Sequence, residues 1–397
     1  MSTGSGTVAS LRVGLACVQD PTDRAIFSGM PASLLAALEE TVGDAIPLRG
    51  DVPHAVTRLA IFAGVAGRSR PAELLRPRTA LANHRPAAMS GRAMVMLTSA
   101  AVRARLALAG RLDGCVLVNT EFSLPASLRT VTFQDSTLMQ ASRSYPWPHL
   151  RGWSERDRAL AIRRQSAIYR RAVACTAMSH WAARSIVKDY GTDPAKVHVV
   201  GLGPNQPVRL ARARDWSVPH FLFVGFDWER KNGDAVLDAF TQVRVEHPDA
   251  TLDLVGGHPR VDLEGVTGHG PLSLADDGGR ARLAALYDRA TALVLPSFHE
   301  PSATVHLEAG HAGIPSIGSS NGGAETVIGP GGYIVHPGHR QELVEAMLKL
   351  AEPGHAAEMG LRASEHAQLF TWRRLAERLI RALAPPGVDC SALAEFL

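Results

Sequence analysis

The sequence predicts an α/β protein built from two Rossmann-like domains. Two observations carry this reading. The pattern of an apolar strand, a glycine-containing turn and a helix occurs near the start, in LRVGLACV followed by QDPTDRAIFSG and the helix from Pro31, and again in HFLFVG followed by a charged loop and the helix from Gly233. Between the two halves, Pro204 to Pro219 is polar and proline-containing, the composition of a linker. The length agrees, since 397 residues suffice for two ordinary cores.

Composition narrows the function classes. Nearly half the residues are apolar and the charges nearly balance, which indicates a soluble globular chain. The net charge of +4 arises from arginines spread along the sequence rather than from one basic run, so nucleic-acid binding is not expected. Cys17, Cys115, Cys175 and Cys390 lie far apart without a C-x-x-C spacing, the pattern of reduced thiols in a cytoplasmic protein. No signal peptide or long apolar span is read, and the Ser/Gly-rich start before Leu11 is expected to be a disordered lead.

In the first half, Leu11–Val18 reads as a strand, and Gly29 closes the turn before the helix. There backbone amides can approach phosphate, although a lone glycine in a turn is more often plain turn chemistry. The stretch to Ala109 is rich in Arg and Ala. Arg92, Arg103, Arg105 and Arg111 suit either a solvated helix face or an anionic acceptor or membrane surface. Cys115–Thr120 and Arg129–Ser136 read as successive parallel strands, with Asp135 at the carboxyl end of the second, the end where open α/β sheets bind ligands. Capping of the following turn is the alternative role for Asp135. An amphipathic helix then leads into ACTAMSHWAARSIVKDYG and the strand VHVVGLGPN, whose Gly201 and Gly203 lack the third glycine of a dinucleotide fingerprint.

The second half opens on the strand ending at Gly225. Arg230 and Lys231 at the following helix start could sit beside a diphosphate, Arg with bidentate contacts and Lys as a point charge, or could be two exposed basic residues in a loop. The strand TLDLVGG, the loop GHGPLSL and the helix RLAALYDRA lead to ALVLPSFHEPSATVHLEAGHAG, a short buried strand, a loop carrying Glu300, and a helix expected to start at Pro301 and Ser302. The free N–H groups of Ala303, Thr304 and Val305 would form an anion site, with Glu308 one or two turns further in. Two glutamates eight apart also suit a solvated helix face. The histidines here show no H-E-x-x-H, and His306 and His311 do not share a helix face, so no metal site is expected.

Glu300 and Glu308, with Gly313-Ile314-Pro315 and Asn321-Gly322-Gly323-Ala324-Glu325 after them, resemble the E-x7-E region of GT4-type retaining glycosyltransferases of the GT-B fold. The resemblance covers most of the chain, weakly over residues 40–110 and strongly from 130. It implies two Rossmann-like domains facing each other across a cleft, residues 1–207 and 208–369, with the helix in 370–397 crossing back to the first. It implies a nucleotide-diphospho-sugar donor, no cofactor, no required metal, and a small-molecule, lipid or glycan acceptor, with at most peripheral membrane contact. By position, Glu300 with the amides of Ser302 and Ala303 would handle the sugar and Glu308 the ribose. Arg230 and Lys231 after Gly225 would clamp the diphosphate, and Pro271 and Leu272 beyond Gly270 would hold the base. In the first domain, Ser28, Gly29 and Pro31 match a Ser-Gly-x-Pro segment, and Asp135-Ser136-Thr137 with Tyr145-Pro146 match a further one. Ser179 and Trp181 match the family's Ser-x-Trp helix. The family usually has Phe-Gly at Ser302-Ala303, often has Arg at Phe226, and has no residue between Lys and Gly where Asn232 stands. Many members also have a histidine near Asp135. A nucleotide-sugar 2-epimerase and a non-catalytic partner of the same fold are the other readings.

Overall fold

The computed structural model describes residues 8, 11–144, 146, 147, 150–206, 214–274 and 276–397. Most of the expected lead, Tyr145 of the Tyr-Pro pair, and the middle of the expected linker with its boundary at 207 lie outside the described residues.

In chain order the elements are β1 (Val13–Cys17), α1 (Met30–Val42), β2 (Ala45–Arg49), α2 (His54–Ala66), α3 (Pro71–Leu74), α4 (Pro77–Met89), α5 (Arg92–Ala109), β3 (Gly114–Val118), β4 (Thr130–Gln134), α6 (Leu138–Ser144), α7 (Glu155–Arg171), β5 (Ala174–Ala177), α8 (His180–Lys188) and β6 (Val197–Val199). They continue with β7 (His220–Gly225), α9 (Gly233–Glu246), β8 (Thr251–Gly256), β9 (Val266–Gly270), α10 (Asp277–Arg289), β10 (Ala292–Val294), α11 (Thr304–His311), β11 (Ser316–Ser319), α12 (Ala324–Ile328), β12 (Gly332–Val335), α13 (Arg340–Ala351), α14 (Pro353–Ala367) and α15 (Trp372–Leu383). Two compact units result. The first holds residues 1–178, 182–200 and 372–397, and the second 179–181 and 201–371.

Each unit has a six-stranded sheet, ordered β2-β1-β3-β4-β5-β6 in the first and β12-β11-β10-β7-β8-β9 in the second. Every strand pairing is parallel. Parallel sheets carry helices on both faces, which is why β1, β3, β4 and β10 are buried at every residue and why β1, β3 and β10 read as unbroken apolar runs. In the second sheet the strand order reverses between β7 and β10, and in the first between β1 and β3. Ligands of open α/β sheets bind beyond the carboxyl ends of strands at such reversals.

In the first unit, Leu15, Leu34 and Leu38 are among the fully buried side chains. The C-terminal α15 belongs to this unit, where the Arg129 guanidinium donates to the carbonyls of Leu383 and Ala384, the latter at 2.8 Å. In the second, Phe221, Phe223, Phe240 and Met347 fill one side of the sheet and Leu222, Leu286, Leu293 and Tyr287 the other.

The structure corrects the sequence expectations at three places. The Arg/Ala-rich stretch contains an extra strand, β2, paired in register with β1, followed by four helices. The expected loop GHGPLSL begins as β9, because Leu254 and Val255 of β8 pair with Gly268 and Gly270. The helix expected at Pro301 starts at Thr304, with Ala303 in the left-handed conformation (φ 54°) as its N-cap.

Candidate active site

The segments that follow β7 and β10 bring a charged cluster together at the strand reversal of the second unit. Beyond β7 the chain turns through 226–232, where the Lys231 amide donates to the Asp227 carbonyl at 2.9 Å. Asn232 adopts the left-handed conformation (φ 60°) at the start of α9. Its side-chain amide donates to the carbonyls of Pro296 (3.2 Å) and Pro337 (2.8 Å), which ties this turn to the ends of β10 and β12. The residue that looked like an interruption between Lys231 and Gly233 is therefore the anchor of the loop. Gly225 has its own reason: a Cβ there would meet Lys231 Cγ at 2.8 Å, so the lysine stem passes only over a glycine.

Lys231 and Glu300 form a buried ion pair, with Arg230 Nη1 3.7 Å from the same carboxylate oxygen and Ser297 Oγ donating to it at 3.1 Å. Arg230 also donates to the His299 carbonyl at 2.8 Å, and its Nε lies 3.4 Å from Asp227 Oδ2. Burial pushes the Glu300 carboxyl up, but the Lys231 and Arg230 charges overcome this and hold it at about 2. Burial, with the Arg230 charge beside it, holds the Lys231 ammonium below its ordinary value, and Glu300 offsets this only in part. The pair is charged because each ion is the other's counter-charge in a site closed to water. Burial drives His306, one turn into α11, down to about 4, so it is neutral.

The backbone of Glu300 is equally fixed. Its amide donates to the Asn321 carbonyl at 3.0 Å and its carbonyl accepts from Gly323 at 2.9 Å, so the Gly-Gly loop holds the carboxylate in place. Three residues on, Ala303 turns the chain into α11. Only glycine takes a left-handed φ without steric cost, which accounts physically for the glycine usual at this position in the GT4-type pattern. The first-turn amides at Thr304 and Val305 have no partner inside the helix and add a partial positive charge.

Glu308, in the second turn of α11, is 5% exposed and accepts from the Tyr287 hydroxyl at 3.1 Å. Burial pushes its carboxyl up to about 7, against the hydrogen bonds from Tyr287 and the amides of Gln206 and Asn205. Leu272 packs into the same apolar cluster as Tyr287, whereas Pro271 is exposed.

The structure thus gathers Gly225, Arg230, Lys231 and Glu300, with Ser302, Ala303, Thr304 and Val305 following on, and sets Glu308 further along the same helix. Gly29 and Asp135 belong to the first unit. Gly29 ends the loop after β1 with a left-handed φ of 82° before α1, and Asp135 directly follows β4, accepting from Ser136 Oγ at 3.0 Å. Sequence reasoning missed Ser297, Asn232 and Tyr287. Nothing in the sequence marks Ser297, Asn232 stands out there only as an interruption between Lys231 and Gly233, and Tyr287 reads as one more apolar residue of α10.

Comparison with known proteins agrees with this geometry. The family model for glycosyl transferases group 1 matches residues 218–353. The matched residues lie within the second unit, which is similar to a group 1 glycosyltransferase domain. Curated relatives include the D-inositol 3-phosphate glycosyltransferases of Kineococcus radiotolerans, 30% identical over 49% of this chain and 53% of the relative, and of Kribbella flavida, 29% identical over 50% and 53%. The chain spans about half the length of the curated relatives it matches. Among solved structures, sucrose-phosphate synthase from Thermosynechococcus elongatus superimposes with a TM-score of 0.60 at 19% identity, covering 92% of this chain and 96% of its own. WaaG, a glycosyltransferase involved in lipopolysaccharide biosynthesis, gives 0.56 at 15% identity, covering 94% and 99%. Those similarities, with the two parallel six-stranded sheets, establish the GT-B fold. The matched residues 218–353 include the charged cluster, the first turn of α11 and Glu308 alike.

Proposed function

We propose that the protein is a retaining glycosyltransferase that takes a sugar from a nucleotide-diphospho-sugar. The observation that carries this reading is the convergence of Arg230, Lys231, Glu300 and the first turn of α11 on the strand reversal between β7 and β10. A diphosphate placed there meets two cations and the helix amides, groups already oriented before any charge develops. Glu300, held by Ser297 and the loop at Asn321–Gly323, orders sugar hydroxyls. Glu308 accepts the ribose hydroxyls, and 270–272 border the base.

In the reaction the bond between the anomeric carbon and the diphosphate oxygen breaks, and its electron pair leaves on the diphosphate. The acceptor hydroxyl forms the new bond on the same face of the sugar and gives its proton to the departing diphosphate oxygen. Arg230 and Lys231 stabilise the negative charge as it grows, a role in which fixed cations replace a metal ion. Gly29 and Asp135 are the first-unit residues offered to the sugar and acceptor. The group 1 family match over the donor-binding half supports this reading over a non-catalytic partner.

A thermal-shift panel of nucleoside diphosphates and their sugars tests the reading. One base is expected to raise the melting temperature by mass action, and Glu308→Ala is expected to abolish the shift. No shift with any member refutes the donor site. Conversion of the donor without any acceptor points instead to an epimerase.

A further inference from the structure

The charge of the chain is not evenly spread. Residues 52–112 contain ten arginines, no lysine and one acidic residue, Glu73, giving this stretch +9 against +4 for the whole chain. Glu73 is occupied locally by the Arg70 amide and His84. Arg68 pairs with Asp157 and Arg105 with Asp51, whereas Arg58, Arg76, Arg78, Arg85, Arg92 and Arg103 make no ion pair among the described residues. Within this arginine-rich stretch, α2 carries an apolar face open to solvent. Ile61 and Val65 of α2 pack on Ala80 and Ala88 of α4. A third of a turn away, Ala55, Val56, Leu59, Phe62 and Ala63 form a second apolar stripe open to solvent, with Leu59 70% and Phe62 72% exposed. The outward stripe of α4 is Arg78, Ala82, Arg85 and Met89, at the i, i+4, i+7, i+11 spacing of one face. A helix apolar on both sides is stable in water only if something covers the second side.

We propose that α2, flanked by the arginines of residues 58–103, docks the first unit onto an anionic lipid bilayer. The two halves of the surface match the two layers of such a membrane: guanidinium groups pair with headgroup phosphates, and Leu59 and Phe62 enter the acyl boundary. At 13 residues α2 is about 20 Å long and lies in the interface. Among the described residues no helix is long and apolar enough to cross. A second copy of the chain brings the same +9 to the contact and is repelled. A nucleic acid offers the arginines phosphates but leaves the Leu59–Phe62 stripe in water. The inference is independent of the donor site, which lies in the other unit.

Vesicle flotation with the full chain tests it. The protein is expected to float with phosphatidylglycerol–phosphatidylcholine vesicles and at least tenfold less with pure phosphatidylcholine. Leu59→Glu/Phe62→Glu, at exposed positions and with an unchanged melting temperature, is expected to lose the anionic-vesicle binding about tenfold, as is Arg78→Gln/Arg85→Gln. Failure to float with anionic vesicles overturns the proposal, as does undiminished flotation of both double variants. A concentration-dependent dimer that Leu59→Glu dissociates overturns it in favour of a second copy.

Discussion

Replacing Glu308 by Gln separates what this carboxylate costs the fold from what it does for a ligand. In the folded chain its carboxyl titrates at about 7, against an ordinary value of 4.5, because burial disfavours the ion. The folded state therefore holds a proton that the unfolded state releases between pH 4.5 and 7. Stability from this group is present in full below 4.5 and is lost as pH rises through 7. The difference of 2.5 pH units at 1.36 kcal/mol each amounts to about 3 kcal/mol above pH 8. Gln keeps the size and an acceptor for Tyr287 or one amide but carries no charge. Glu308→Gln is thus expected to match the parent near pH 4.5 and to exceed it by up to about 3 kcal/mol at pH 8.5, a rise of roughly 6–12 °C in the transition of the second unit. Scanning calorimetry of both proteins at pH 5, 6, 7 and 8.5 measures the gap. A gap that does not widen with pH refutes the buried, proton-holding carboxylate, and one that widens toward acid reverses the argument outright.

Further predictions concern the neighbouring groups. Donor affinity of the parent is expected to rise between pH 6 and 8 as Glu308 ionises and accepts hydroxyls, and Glu308→Gln is expected to flatten that profile in calorimetric titrations. Lys231→Ala strands the buried Glu300 charge, costing about 3 kcal/mol of stability, and lowers turnover about 10²–10³-fold by removing a cation from the leaving group. The double variant Lys231→Met/Glu300→Gln is expected to recover the stability and not the turnover, and equal recovery of both contradicts the assigned role. Asp253, buried in β8, pairs with Arg289 and accepts from His269 Nε2 at 2.7 Å just before the 270–272 segment. Asp253→Asn is expected to destabilise the second unit by about 2 kcal/mol and to weaken nucleotide binding while leaving the Lys231–Glu300 pair intact. Ala303→Gly relieves a left-handed alanine and is expected to add about 0.5 kcal/mol after the entropy of the added glycine is subtracted, read as a small upward shift in melting temperature.

The sequence alone determined the α/β class, the two strand–glycine–helix openings and the positions of Arg230, Lys231, Glu300 and Glu308. Strands buried on both faces are written as unbroken apolar runs, and residue types at fixed spacing after such runs mark the ends where ligands bind. Only the tertiary structure decided the rest, because it depends on neighbours remote in sequence. β2 was unreadable as a half-exposed, proline-containing edge strand whose only strand partner among the described residues is β1. The α11 start could not be placed from Pro301 and Ser302, since Ala303 is forced left-handed by a loop that Asn321 and Gly323 hold from another part of the chain. Glu300 and Glu308 look alike in sequence, yet one faces Lys231 and is held at about 2, while the other meets only neutral donors and rises to about 7. Burial penalises both charges. What separates them is whether folding delivers a cation from 69 residues away, and only the parallel pairing of β7 with β10 does that.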